Sequence, residues 1–316
     1  MDFELSDDQV ALQSELRRFL TDRVDADARR AIAALPGAVD RELWRALGEL
    51  GVFGLTTAEA DGGVGLGHAE SAIVFEELGR ALVPGPVVAT ALAAGLVDGA
   101  VTGDVVVGMV ADATPAPTIV EHLDALDVLL VVGTDAVTAV DPPRGRAPVE
   151  RPLDPLTPVT VVTSIPDGPS VAPAGAFRRD GALLAAAMQV GIGAAAVDLA
   201  TAYAKERQQF GRKIGGFQAV KHLLADAFVA VEIARAAVHA AAVGIDEGWE
   251  GRAVASARVV ASRAARLATA TCVQVHGGMG YTWELDAHLL LKRALVLDLS
   301  PGTVDEAIDA IAAGLR

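Results

Sequence analysis

Between residues 179 and 273 the sequence carries three long helical patterns in close succession, at about 179–206, 216–244 and 250–273, and nothing else in it constrains the fold as strongly. In the middle pattern Phe217, Val220, Leu224, Ala227, Val231, Ala234 and Val238 recur at steps of three and four, so they share one helix face. Small residues dominate that face and its neighbours, which lets helix axes approach closely in a bundle. Shorter patterns near 284–295 and 303–315 extend it. Within the first pattern, Gly191-Ile192-Gly193-Ala194-Ala195-Ala196 matches a G-x-G-x-x-A dinucleotide fingerprint. A working fingerprint follows a strand and opens a helix, whereas this one lies in mid-helix after Leu183, Leu184, Ala187 and Met188. Close helix packing is the better reading.

Upstream, Ser6 followed by Gln9 and by Val10, Leu12, Leu16 and Phe19 predicts a capped amphipathic helix to about Arg23. Further helical patterns fall at about 40–50, 68–82 and 86–98, with the glycine-rich turn Asp61 to Gly67 between the first two. From 103 to 173 the texture changes to short Val-rich runs at 104–110, 127–133, 136–140 and 159–164, divided by Pro and Gly clusters. These predict four or five strands in a small sheet. The expected fold is therefore mainly α with a small β-domain: an N-terminal helical domain over 1–102, a reduced middle β-domain over 103–175, and a C-terminal helical bundle of the four-helix type over 176–316.

The formal charge of −15 argues against nucleic acid as a partner, because phosphate-backbone binding needs a basic footprint. Charge or glycine interrupts every apolar stretch before the roughly 18 to 20 residues of a membrane span, so no membrane segment is expected. The start Met1-Asp2-Phe3-Glu4-Leu5 lacks the basic and apolar regions of a secretory signal, and a cytoplasmic location is expected. The single cysteine, Cys272, fits a reducing compartment and reads as a small buried hydrophobe. The six histidines show no metal-ligand spacing, so no metal is expected.

Against this acidic background Lys205, Arg207, Arg212 and Lys213 form a local basic spot. The segment Tyr203 to Gln218 ends one helix and starts the next across a Gly-rich turn, and it is a candidate anion site. Arg207 brings a planar fork for two phosphate oxygens, Phe210 an apolar face for a ring, and Gln218 lies in the first turn of a helix whose free N–H groups favour negative charge. An ordinary helix-turn-helix corner, with Arg207 solvated or paired to an acid, accounts for the same residues. The second candidate is Gln274-Val275-His276-Gly277-Gly278-Met279-Gly280-Tyr281, whose glycines allow backbone to approach a ligand or simply end a helix.

Taken in order, these segments resemble the acyl-CoA dehydrogenase family: Arg207, Phe210-Gly211, Phe217-Gln218 and Gln274 to Gly278 fit its pattern. Leu47 to Leu55, Asp61 to Gly65 and Glu76-Glu77-Leu78-Gly79-Arg80 look like its N-terminal domain, so the resemblance spans nearly the whole chain. It implies FAD lying across a subunit interface, with Arg207, Phe210, Gln218, Gln274, Gly277 and Gly278 reaching the pyrophosphate and adenosine of a neighbour's cofactor. The family's Thr-Glu-Pro-x-x-Gly-Ser loop and Trp-x-(Thr/Ser) flavin contact are not found between 103 and 173. The family's catalytic Glu aligns with Pro301, in Ser300-Pro301-Gly302-Thr303, or in other members with Gly181, so no catalytic residue is assigned in this chain. Glu284 reads as structural.

Partner-facing features kept beside missing catalytic ones resemble the short subunit of the α2β2 acyl-CoA dehydrogenases of steroid-degrading actinobacteria. The resemblance implies a longer, base-carrying partner subunit, an acyl-CoA substrate and an electron-transfer flavoprotein as acceptor, with this chain inactive alone. A homo-oligomeric enzyme with a relocated base, or an interaction protein that has lost flavin, are the alternatives.

Overall fold

A computed structural model describes residues 4–34, 39–111, 117–249, 251–300 and 302–314. Ser6 caps α1 (Asp7–Arg23) as its spacing predicts: its Oγ accepts from the Gln9 amide at 3.2 Å while the Gln9 side chain accepts from the Ser6 amide at 3.1 Å. A short α2 (Ala26–Ala33), capped by Asp25, was not foreseen. α3 (Arg41–Glu49) and α4 (His68–Arg80) match their patterns, but α5 (Val87–Leu92) stops well before residue 98. Gly95 and Gly99 beyond it adopt φ of 78° and 81°, a left-handed backbone that ends helical propagation.

Among its described residues the middle segment holds six strands rather than four or five: β1 (Val107–Ala111), β2 (Thr118–Glu121), β3 (Val128–Val132), β4 (Ala136–Val140), β5 (Val159–Val162) and β6 (Ser170–Pro173). β1 pairs parallel to β3, and β3-β4-β6 continue antiparallel; β2 and β5 form a separate antiparallel pair. The two strands missed, β2 and β6, are each four residues long, and proline precedes one and ends the other.

The bundle follows: α6 (Ala174–Glu206), a two-stranded hairpin of β7 (Gln208–Gln209) and β8 (Arg212–Lys213), α7 (Gln218–Asp246), α8 (Ala253–His276), α9 (Ala287–Leu297) and α10 (Val304–Ala313). Ala227, Val231, Ala234 and Val238 of the expected stripe are buried. Gly191 and Gly193 lie inside α6, where a Cβ would meet Glu76 O at 1.8 Å and Val231 Cγ2 at 2.8 Å, so the fingerprint-like glycines serve helix packing.

The family-like run at 76–80 is a hub on α4. Glu76 pairs with Arg235 of α7 at 2.9 Å, Glu77 with Arg17 of α1 at 2.5 Å, and Arg80 with Asp198 of α6. Burial opposes charge on Glu76, but His239 and Arg235 outweigh it and hold its carboxyl below the usual range. Gly79 meanwhile presses against Met188 of α6. Each side of α4 thus reaches a different helix.

Two helices of the bundle bear on the expectation about membranes. α6 and α7 are long and apolar enough to cross a membrane by length and composition alone, a test that the core helix of a soluble protein also passes. The apolar window of α6 is 83% buried, as in a core helix, whereas that of α7 is 33% buried. The outer face of α7 exposes Leu223, Phe228, Val229 and Ile233.

Candidate functional site

α6 ends at Glu206 because Arg207, its C-cap, turns to extended backbone (φ −63°, ψ 127°). The Arg207 amide donates to Tyr203 O at 2.9 Å and its carbonyl accepts from the Ile214 amide at 2.8 Å, which closes the small hairpin. Gln208 lies opposite Lys213 and Gln209 opposite Arg212, leaving Phe210 and Gly211 as a two-residue turn. Both have positive φ, 55° and 78°, as a hairpin turn of the I′ type requires. Glycine takes that conformation freely; phenylalanine does not. Phe210 is nonetheless 91% exposed, with Phe217 edge-on at 6.2 Å. Arg212 stacks over Phe217 at 3.9 Å. Arg207 is exposed and has no ion-pair partner among the described residues. The acid-paired version of an ordinary corner is therefore not what forms. Gln218 is the first residue of α7, whose N-terminus carries no side-chain cap; its amides are open to an anion.

The glycine loop lies beside this corner. Tyr203, one turn before Arg207, stacks on His276 at 4.4 Å, and its hydroxyl donates to Met279 Sδ at 3.9 Å. Gln274, Gly277 and Gly278 are exposed, and a Cβ added at either glycine meets nothing within 4 Å. Gly277 has φ of 61°, so its freedom is used. Cys272 is fully buried with its thiol pushed up to about 12 by burial, an inert filler as expected. His276 Nδ1 donates to Cys272 O at 2.7 Å, and Nε2 has no partner among the described residues. Tyr203 and Met279, which join the two motifs, were missed as site residues; the tyrosine's helical step from Arg207 was the available signal.

The segment expected to align with the family's base is held from beneath. Arg258 of α8, fully buried, donates to Gly302 O at 3.0 Å, to Gln189 Oε1 at 2.6 Å and to Leu297 O. Burial lowers its guanidinium to about 10. Gln189 and Ser262 both donate to Asp298 at 2.7 Å. Gly302 packs on Arg178 and Ala182 of α6, which flank the buried Gly181. The two positions considered for a base, Gly181 and the 300–303 segment, thus meet in space; Pro301 itself lies outside the described residues. Glu284 is exposed, and its carbonyl accepts from Arg30 at 3.4 Å. The stretch 112–116, just after β1, also lies outside the described residues.

This arrangement of helices, small sheets and bundle has close counterparts. Residues 6–101 match the acyl-CoA dehydrogenase N-terminal domain and residues 178–316 the acyl-CoA dehydrogenase C-terminal domain. The chain belongs to the acyl-CoA dehydrogenase family. It is 34% identical over 308 residues to the acyl-CoA dehydrogenase IpdE2 of Mycolicibacterium smegmatis, covering 92% of this chain and 93% of that one. In fold it is similar to a chain of the ChsE4-ChsE5 complex from Mycobacterium tuberculosis (TM-score 0.83, 23% identity, 100% and 99% coverage). A Tcur3481-Tcur3483 steroid ACAD is similar to the same degree (TM-score 0.82, 24% identity, 98% and 99% coverage).

The chemistry of the exposed corner fits the dinucleotide that the family implies. An unpaired guanidinium and uncapped helix amides suit a pyrophosphate, an exposed aromatic suits a ring, and side-chain-free backbone at Gly277 and Gly278 admits close approach.

Proposed function

We propose that the chain is the shorter subunit of a heteromeric, FAD-dependent acyl-CoA dehydrogenase, lending contacts to a flavin whose ring is held by a longer partner. Flavin, when bound, supplies hydride acceptance from the acyl β-carbon. In this reading Arg207 neutralises the pyrophosphate, and Gln218 and Gln274 hydrogen-bond it or the adenosine. Phe210 packs on the cofactor, and Gly277 and Gly278 present backbone. The α-proton passes to a carboxylate on the partner, an electron-transfer flavoprotein takes the electrons, and the assembly is an α2β2 tetramer in the cytoplasm. The substrate is an acyl-CoA thioester, with a steroid-derived ester favoured by the name of the similar steroid ACAD.

The observation that carries this reading is the solvent-facing Phe210 in a left-handed conformation beside an unpaired Arg207. A bulky residue kept in such backbone while burying nothing points to a role outside its own chain. The exposed apolar face of α7 supports a large association surface on the same bundle. The three-part division at 102/103 and 175/176 belongs to the same reading.

Co-expression with the adjacent dehydrogenase gene product, followed by a flavin count, tests it. The expected product is a yellow complex. Arg207→Ala should lower retained flavin by roughly tenfold or more while leaving the denaturation midpoint unchanged. Full flavin retention in that variant would sink the assigned role. A yellow, active single-chain product would favour a homo-oligomer instead, and colourless protein even with the partner would favour loss of flavin.

A further inference from the structure

His288 is the second residue of α9, 3% exposed, and neither of its ring nitrogens has a hydrogen-bond partner among the described residues. Buried polar groups are nearly always satisfied, so a ring left this bare is held by packing alone. Trp283 supplies that packing: it lies edge-on to the imidazole, with ring centroids 5.0 Å apart and planes at 83°, yet stays 51% exposed itself. It belongs to residues 282–286, a strap that leaves the glycine loop and leads into α9. The strap is tied down by α2, where Arg30 donates to Trp283 O at 3.0 Å and to Glu284 O at 3.4 Å and Arg29 pairs with Asp286.

An uncharged ring suits this place and an imidazolium does not. A proton there adds a buried charge and a donor with no well-placed acceptor. It also stands at the start of a helix, whose free amides disfavour positive charge. Burial and Lys292, one turn along α9, hold His288 below its ordinary value, while Asp286, Asp154 and the Thr282 carbonyl pull the other way without reversing this. Both aspartates are already taken. Asp286 serves Arg29, and Asp154 serves Arg293, which also donates to Val83 O at 3.0 Å and Leu156 O at 3.3 Å. We propose that residues 282–286 form an acid-released strap, shut while His288 is uncharged and freed when that imidazole takes up a proton.

With the strap open His288 meets water and titrates near 6.5. A histidine lowered in the closed state stabilises closure fully above that value and ceases to do so as pH falls toward the closed-state one, so opening should grow with acidity. The strap continues from Gly277 and Gly278, and its release should also loosen the backbone that these glycines present to the coenzyme. That consequence rests on the flavin reading above; the strap itself does not.

Hydrogen exchange of the full chain, corrected for intrinsic rates at about pH 7.5 and about pH 5.5, tests the proposal. The Thr282 amide, bonded to Met279 O at 3.1 Å, and the Leu285 amide, 3.4 Å from Thr282 O, report on the strap. Protection over 282–286 should fall by roughly tenfold at the lower pH while α4 keeps its own. His288→Phe should abolish that response, and His288→Gln, equally unable to take up the proton, makes the same comparison where the phenylalanine variant does not fold. Protection that ignores pH, the same response in either variant, or equal losses over the strap and α4 would overturn the proposal. In the co-expressed complex, flavin retained at about pH 5.5 should drop in the parent and hold in His288→Phe, and equal loss in both would overturn the link to the glycine loop. A complex colourless at both pH values would sink the flavin reading, and the exchange result would still decide the strap.

Discussion

Gly191 of α6 sits against Glu76 of α4 so closely that a Cβ would stand 1.8 Å from the Glu76 carbonyl oxygen. The backbones of the two helices are in direct contact there, and only hydrogen fits between them. Gly191→Ala should destabilise the chain by about 3 kcal/mol or prevent folding, measured by chemical denaturation. Gly175→Ala is the control: it lies in the first turn of α6 with nothing within 4 Å, and should be neutral or stabilising by up to about 1 kcal/mol.

The Arg293 and Asp154 pair is almost wholly enclosed, with side chains 4% and 0% exposed at 2.5 Å. Such a pair costs desolvation on both sides, so removing one partner is worse than removing both. Asp154→Asn should cost about 3–5 kcal/mol by denaturant midpoint. The double variant Asp154→Leu with Arg293→Met should recover most of that loss, and its failure to do so would mean that the bonds to Val83 O and Leu156 O matter more than the charge.

Phe210→Gly separates strain from function. With glycine at φ of 55° the hairpin turn no longer carries a β-carbon in the left-handed region, and the isolated chain should gain about 1 kcal/mol. The co-expressed complex should nonetheless retain less flavin. A variant no more stable than the parent would show that the turn is unstrained.

His68 lies between Asp246 Oδ1 at 2.7 Å and Asp180 Oδ1 at 3.5 Å, and Arg179 shares Asp180 at 2.8 Å. Burial disfavours its charged form, but hydrogen bonds and charge from the two aspartates prevail and raise it above its usual value. A raised histidine contributes stability that is complete below the unfolded value near 6.5 and is lost as pH rises through the folded one. Denaturation midpoints should therefore fall over that interval, and His68→Gln should flatten the profile there. An equally steep profile in the variant would remove His68 from the account.

The bundle was legible because its signals are long and periodic: the stripe from Ala227 to Val238 reports burial whatever its neighbours do. The capping pair Ser6 and Gln9 was equally local. β2 and β6 were not legible, since four residues beside proline carry too little alternation to stand out. At the corner, residue types suggested an anion site, but the left-handed Phe210 follows from hairpin register, which the sequence leaves implicit. Tyr203 stacking on His276 joins residues far apart in the chain, and no window of sequence contains both.

Gly67 precedes α4 without a side chain to cap it, and the oxygens of Asp246, at the far end of α7, receive the His68 and Ala69 amides at 2.9 and 3.1 Å. The start of one helix is finished by a residue 178 positions downstream. A fragment ending before that aspartate would expose raw amide ends and the bare glycine side of α4, so the first hundred residues form a structure on loan from the last hundred and fifty rather than a module that can be cut away and transplanted.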